Sequence, residues 1–202
     1  MEHDPSRAER TLAAWERIEA WSRTYAPRTY AALPGPAEPS AVREAEAAMG
    51  VLPPELRALW SVCGGGEPGS GPEGLRVLRG LDVFPPLAAV WCHANVLAVM
   101  LEAENMGPRP WVPACAAETA EPRLWNFVDA PSGRLGWNVH AGAFTGPGRS
   151  GETFTGWIEG VADELHGAAV HAGVRRAGVA DGWLSWRDPR TAPSGWVPIG
   201  PA

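Results

Sequence analysis

VREAEAAMGVLPPELRALWSVCGGG, residues 42–66, reads as a helix, a sharp stop, a second helix and a glycine break. Val42, Ala45 and Met49 recur at three- and four-residue steps, which puts them on one helix face. Pro39 and Ser40 precede that helix, and Ser40 is placed to cap it. Gly50 follows the last periodic residue, where glycine most readily takes the left-handed conformation that ends a helix. Val51 is then expected to fold back onto the Ala45 face. Pro53 and Pro54 reopen the chain with φ pre-set for a new first turn. Leu56, Leu59 and Trp60 line the second helix, and Gly64, Gly65 and Gly66 end it. Cys63 is the one candidate for a chemically reactive side chain in the pair.

Upstream, Ser6 to Tyr25 reads as a helix opened by the capping-box pattern Ser6-Arg7-Ala8-Glu9. Leu12, Trp15, Ile18 and Trp21 or Tyr25 form its apolar stripe, with Arg10, Glu16, Arg17 and Arg23 towards solvent. Residues 27–39 are rich in proline and read as an irregular connector. Downstream, GGGEPGSGPEG (64–74) is a loop; the chain has no lysine, so it is not a P-loop. Short strands are predicted at 75–78 and 81–84. A helix opened by Pro85-Pro86 follows, with Leu87, Val90, Trp91, Ala94, Leu97, Ala98 and Leu101 as its inward stripe.

From Trp111 the period changes to two. Residues 111–114, with Pro113 marking an edge or bulge, 124–129 and 135–139 read as strands. The last two flank the Pro131-Ser132-Gly133 turn and are expected to pair antiparallel. Phe154, Trp157, Ile158, Val161 and Leu165 predict a closing helix, with Glu159, Asp163 and Glu164 outward. The tail holds Trp183, Trp186 and Trp196, which fit no clear period and are read as interface candidates; the other tryptophans, Trp91 included, are mostly read as core.

The composition narrows the function. A chain of 202 residues with 45% hydrophobic residues can bury a core, and no apolar run reaches the roughly 18 residues of a membrane span. The opening MEHDPSRAER lacks the apolar region of a secretory signal. Three separated cysteines suggest neither a disulfide framework nor a metal site, so a reducing cytoplasmic setting is expected. Residues 41–165 carry fifteen acidic and eight arginine side chains, a net of −7, whereas 166–202 carry +2. An acidic middle argues against direct nucleic-acid binding and favours a basic protein partner. Catalytic signatures are missing: Cys92 and His93 diverge as helix neighbours, HExxH and G-x-S-x-G are absent. A hydrolase built on Cys63, His140 and Asp129 exists only as an assembly on paper.

Several weak motifs together resemble the SUKH superfamily, which includes fungal cell-wall assembly regulators and many bacterial immunity proteins. They are Trp15-x-x-Ile18-Glu19-x-Trp21; Glu44 and Glu46 followed by Gly50 and Leu52-Pro53-Pro54-Glu55-Leu56-x-x-Leu59; Trp111-Val112-Pro113; Phe127-x-Asp129 with Gly133 and Gly136; and Phe154-x-x-Trp157-Ile158. The approach to the hairpin, Glu118 to Pro122, departs from the pattern, as does the absence of Asn-Gly after the second helix. The resemblance implies an α+β, SUKH-like fold with a mainly antiparallel sheet and helices packed against it. Residues 1–165 would form that domain and 166–202 a C-terminal extension. It also implies a non-enzymatic protein without cofactor or metal. Such a protein would neutralise a toxin domain of a polymorphic toxin system, for instance a basic nuclease, by direct binding. A regulatory or scaffold module is the alternative. Contact residues are expected on loops: Glu67, Glu73, Glu118, Glu121 and Asp129.

Overall fold

The computed structural model describes residues 5–66, 77–79, 81–103, 105, 108–116, 124–139, 143–145, 151–168 and 175–199. Four helices come first: α1 (Pro5–Tyr25), α2 (Pro27–Ala32), α3 (Pro39–Met49) and α4 (Pro54–Trp60). Strand β1 (Asp82–Val83) follows, then α5 (Pro86–Cys92), a π-helical segment (His93–Leu97) and α6 (Ala98–Ala103). Strands β2 (Trp111–Ala116), β3 (Leu124–Asp129), β4 (Leu135–Val139) and β5 (Ala143–Thr145) lead to α7 (Phe154–Leu165). The chain closes with β6 (Arg176–Ala180), β7 (Trp183–Arg187) and β8 (Val197–Pro198). The architecture is α+β, with antiparallel pairing in both sheets.

Proline starts α2, α3, α4 and α5 at the first helical turn, where a missing N–H removes no helical hydrogen bond. This device displaces the expected serine caps. Helix α3 begins at Pro39, so Ser40 lies inside its first turn, and Glu38 before it makes no side-chain cap. Ser6 is likewise inside α1, which already begins at Pro5. Gly50 does end α3, at φ 80° and ψ −137°. That ψ turns the chain outward instead of folding it back, and Val51 is 57% exposed. The connector reading of 27–39 is also corrected. The Arg28 and Thr29 N–H groups, which have no helical acceptor, donate to Gly182 O at 3.0 and 3.3 Å. A contact from the far end of the chain thus builds α2, which local composition does not announce.

Helix α1 packs on α4 and α7, burying Ala14, Trp15, Ile18 and Trp21. Its Arg10 and Arg17 reach across to Glu159 and Asp163 of α7 at 2.8 and 2.7 Å. Underneath, the Thr11 and Thr155 hydroxyls are 3.0 Å apart. Leu56, Leu59 and Trp60 of α4 are wholly buried, as expected, and the Trp60 indole donates to Phe84 O at 2.8 Å. Arg7 reaches a carboxylate with no solvent exposure at all: its Nη1 lies 3.2 Å from Glu55 Oε1.

The first sheet runs β1-β2-β3-β4-β5. Strand β2 carries a register shift between Pro113 and Cys115, the bulge that a proline inside a strand demands. Gly136 of β4 faces Phe127 of β3, whose ring occupies the space a β-carbon would need. Helix α7 lies on this sheet, with Trp157 edge-on to Trp137 at 5.8 Å. Phe154, Trp157, Ile158, Val161 and Leu165 are all buried as the sequence predicts. Glu164 is not outward: it is buried 3.4 Å from Arg79 Nε.

Residues 176–198 form a three-stranded sheet ordered β7-β6-β8, with an Asp181-Gly182 turn at positive φ in both residues. Leu184 and Trp186 enter the same apolar core as α1 and α4. Trp186 donates to Val77 O at 3.2 Å, and Trp196 lies across Gly178 and donates to Ser185 Oγ at 3.1 Å. Trp186 is thus a core anchor, whereas Trp196 packs across the extension and stays partly exposed.

Removing one partner of a buried ion pair leaves an uncompensated charge, whereas exposed pairs contribute little. Arg7→Ala is therefore expected to lower unfolding free energy by about 3 kcal/mol. Arg17→Ala, at an exposed pair, is expected to lower it by less than about 1 kcal/mol. Urea denaturation of the two variants measures the difference.

Candidate functional site

Helix α5 and the turns after it hold the site. Ala89 and Cys92 face inward from α5, and Leu97 and Leu101 continue that buried face. The step from Cys92 to Leu97 is five residues. In an unbroken α-helix it would rotate Leu97 by about 140° away from Cys92. The π segment absorbs the extra residue, and its wide turn is closed by the Ala98 N–H donating to His93 O. This shift in phase corrects the expected inward stripe. Ala94 and Ala98 face solvent, Leu87 is 47% exposed and Trp91 is 54% exposed.

Asn105 follows this helical run. Its N–H donates to Glu102 O at 3.0 Å, and it sits at φ 54°, a left-handed conformation that asparagine tolerates better than most residues. Beyond it, Pro108 and Arg109 border the same cavity as α6. The result is a pocket of about 440 Å³ lined by His93, Ala98, Leu101, Glu102, Asn105, Pro108 and Arg109. Its size lies at the lower end of small-molecule sites, and its composition is typical of them: an apolar floor and a few convergent polar groups. His93 is half-buried, and burial lowers its pKa, so the imidazole enters the pocket neutral at pH 7.

The exposed stripe and the pocket are continuous. Leu87, Trp91, Ala94, Asn95, Ala98 and Glu102 are all exposed at helical spacing, over a length of roughly 22 Å. Asn95 Nδ2 donates to Trp91 O at 2.9 Å, which holds that part of the face in place. Tryptophan is among the residue types most enriched where partners bind, and an exposed one beside an exposed leucine is the feature to explain.

Of the contact residues expected from sequence, Glu67, Glu73, Glu118 and Glu121 lie outside the described residues. Asp129 ends β3 and holds the hairpin turn: Oδ2 accepts from the Ser132 N–H at 3.1 Å and from the Ser132 hydroxyl. His140 is also outside the described residues. Cys63, its supposed nucleophile, is buried, and burial pushes its thiol up to about 12. Cys92 is likewise pushed up to about 12, facing the core while His93 faces the pocket. Burial also raises Cys115 well above the ordinary thiol range. None of the three supplies a thiolate at neutral pH.

No protein-family model matches the chain, and no curated protein matches it. Among the described residues, no helix is long and apolar enough to cross a membrane.

The buried thiols give a pH-dependent prediction. Their native pKa values lie above the ordinary 9.0, so the unfolded chain loses protons first as pH rises. Stability is expected to be intact below pH 9 with respect to these groups, and to fall as pH rises from there towards 12. In parallel, 5,5′-dithiobis(2-nitrobenzoate) at pH 8 should label no cysteine of the native protein and all three after unfolding in urea. Both are read by absorbance, the first as urea melts across the alkaline range.

Proposed function

We propose that this chain is a non-enzymatic binding protein that occludes a basic protein partner. In the form the sequence motifs favour, it is a SUKH-like immunity protein that neutralises a toxin domain of a polymorphic toxin system. The observation that carries the reading is the α5–α6 face, with Trp91 and Leu87 exposed on a well-packed helix. The two side chains stand next to each other on one helix face, and a tryptophan anchor is among the contacts that contribute most to a protein interface. Charge supports the same partner class. The chain carries −6 overall, and −7 over residues 41–165, so a basic domain would be drawn towards the chain. Steric occlusion by such a surface requires no reactive group, and the cysteines, held as protonated thiols, offer none.

The order of elements supports the family reading. The proline-separated helical pair α3–α4, the Trp-Val-Pro strand β2, the β3–β4 hairpin and the closing helix α7 follow one another as the motifs imply.

The test is co-purification with the product of a neighbouring gene, followed by rescue of cells from that product's toxicity. Trp91→Ala is expected to weaken the complex by at least about tenfold, since interface tryptophans commonly contribute 2 kcal/mol or more when truncated, roughly that factor. The same variant should leave the urea midpoint nearly unchanged, because the side chain is half in solvent already. Full affinity retained by Trp91→Ala, or no binding to any neighbour-encoded toxin, would count against the reading.

A further inference from the structure

The pocket at the end of the α5–α6 run carries an inference independent of any protein partner. Two of its lining groups are opposite charges, Glu102 and Arg109. Elsewhere, opposite charges brought close pair up: Arg10 with Glu159, Arg17 with Asp163, Arg57 with Glu46, Arg190 with Asp188. Glu102 and Arg109 border one cavity, and neither forms an ion pair with the other or with any described residue. His93 and Asn105 bring hydrogen-bonding side chains to the same space, and Ala98, Leu101 and Pro108 supply an apolar wall.

A monoanion would be attracted by Arg109 and repelled by Glu102; a monocation meets the reverse. A molecule carrying both charges satisfies both, and the neutral imidazole and the amide can accept or donate beside either. A volume of about 440 Å³ admits a small molecule with an apolar body. We propose that this pocket binds a small zwitterion, a free apolar α-amino acid, with its carboxylate on Arg109, its ammonium on Glu102 and its side chain against Leu101, Ala98 and Pro108.

The experiment is calorimetric titration of the full chain with L-leucine and L-phenylalanine. N-acetyl-L-leucine, which lacks the positive charge, and L-leucine methyl ester, which lacks the negative one, serve as matched probes. Saturable binding of at least one amino acid is expected below roughly 10 mM, the range open to so small a ligand. Either blocked leucine should bind at least about tenfold more weakly than leucine, the factor for losing one charge-assisted contact. Arg109→Ala should weaken the amino acid and its N-acetyl derivative alike. Glu102→Gln should weaken the amino acid and remove its advantage over the N-acetyl form. Both positions are exposed, so circular dichroism is expected to show both variants folded. No saturable heat with either amino acid, equal affinity for the blocked forms, or unchanged binding in both variants would overturn the proposal. None of these outcomes depends on whether Trp91 binds a protein, so the two readings stand or fall separately.

Discussion

Glu55 is a carboxylate with no access to water, and much of the fold is arranged around that fact. Taking such a group out of water costs several kcal/mol unless charge and hydrogen bonds replace its hydration. Arg7 supplies the charge from α1, and its other nitrogen, Nη2, donates to Pro131 O at 3.3 Å in the β3–β4 turn. Gly133 completes the junction. It sits at φ 69°, and a β-carbon there would run into both Arg7 and Glu55. Its N–H donates to Asp129 O at 2.7 Å, and its carbonyl accepts from the Phe154 N–H at 2.9 Å, where α7 begins. The buried ion pair and the Gly133 turn packed on it together join the first helix, the helical pair, the hairpin and the closing helix.

What this junction leaves out is as informative. Helix α1 is tied to α4 and to α7 by ion pairs, and to α7 also by the Thr11–Thr155 contact. The α5–α6 run is held mainly by burial of Ala89, Cys92, Leu97 and Leu101, with α5 packed against α3 and β2. Its outward side is consequently not needed to secure the fold. Exposed Leu87 and Trp91 contribute little to the core, so their positions are free to serve binding. The π segment keeps both requirements in one element: it preserves the inward face while turning His93 into the pocket.

The parts of this architecture legible in the sequence are those fixed by local period and punctuation. Leu56, Leu59 and Trp60, the Phe154-to-Leu165 stripe and the two strands around Pro131-Ser132-Gly133 all fall where their spacing puts them. Tertiary determinants were not legible. Helix α2 depends on Gly182, more than a hundred residues away, and the burial of Glu55 depends on Arg7, 48 residues away. Glu164 looked like a solvent-facing charge because its partner, Arg79, lies 85 residues upstream. The exposed face of α5 was hidden by phase. A helical period applied without interruption from Leu87 to Leu101 turns Trp91 inward, and one residue absorbed by the π segment turns it out. The one available signal was the inward spacing of Cys92 and Leu97, which no α-helix keeps on a single side.

The claim on which the functional account rests is that binding is done by the α5–α6 face and not by the acidic loops. Hydrogen–deuterium exchange of the full chain, free and in complex with its partner, tests it directly. The account predicts that protection on binding is centred on residues 86–109. Protection centred on the segments that carry Glu67 and Glu73, or Glu118 and Glu121, with 86–109 unchanged, would contradict it.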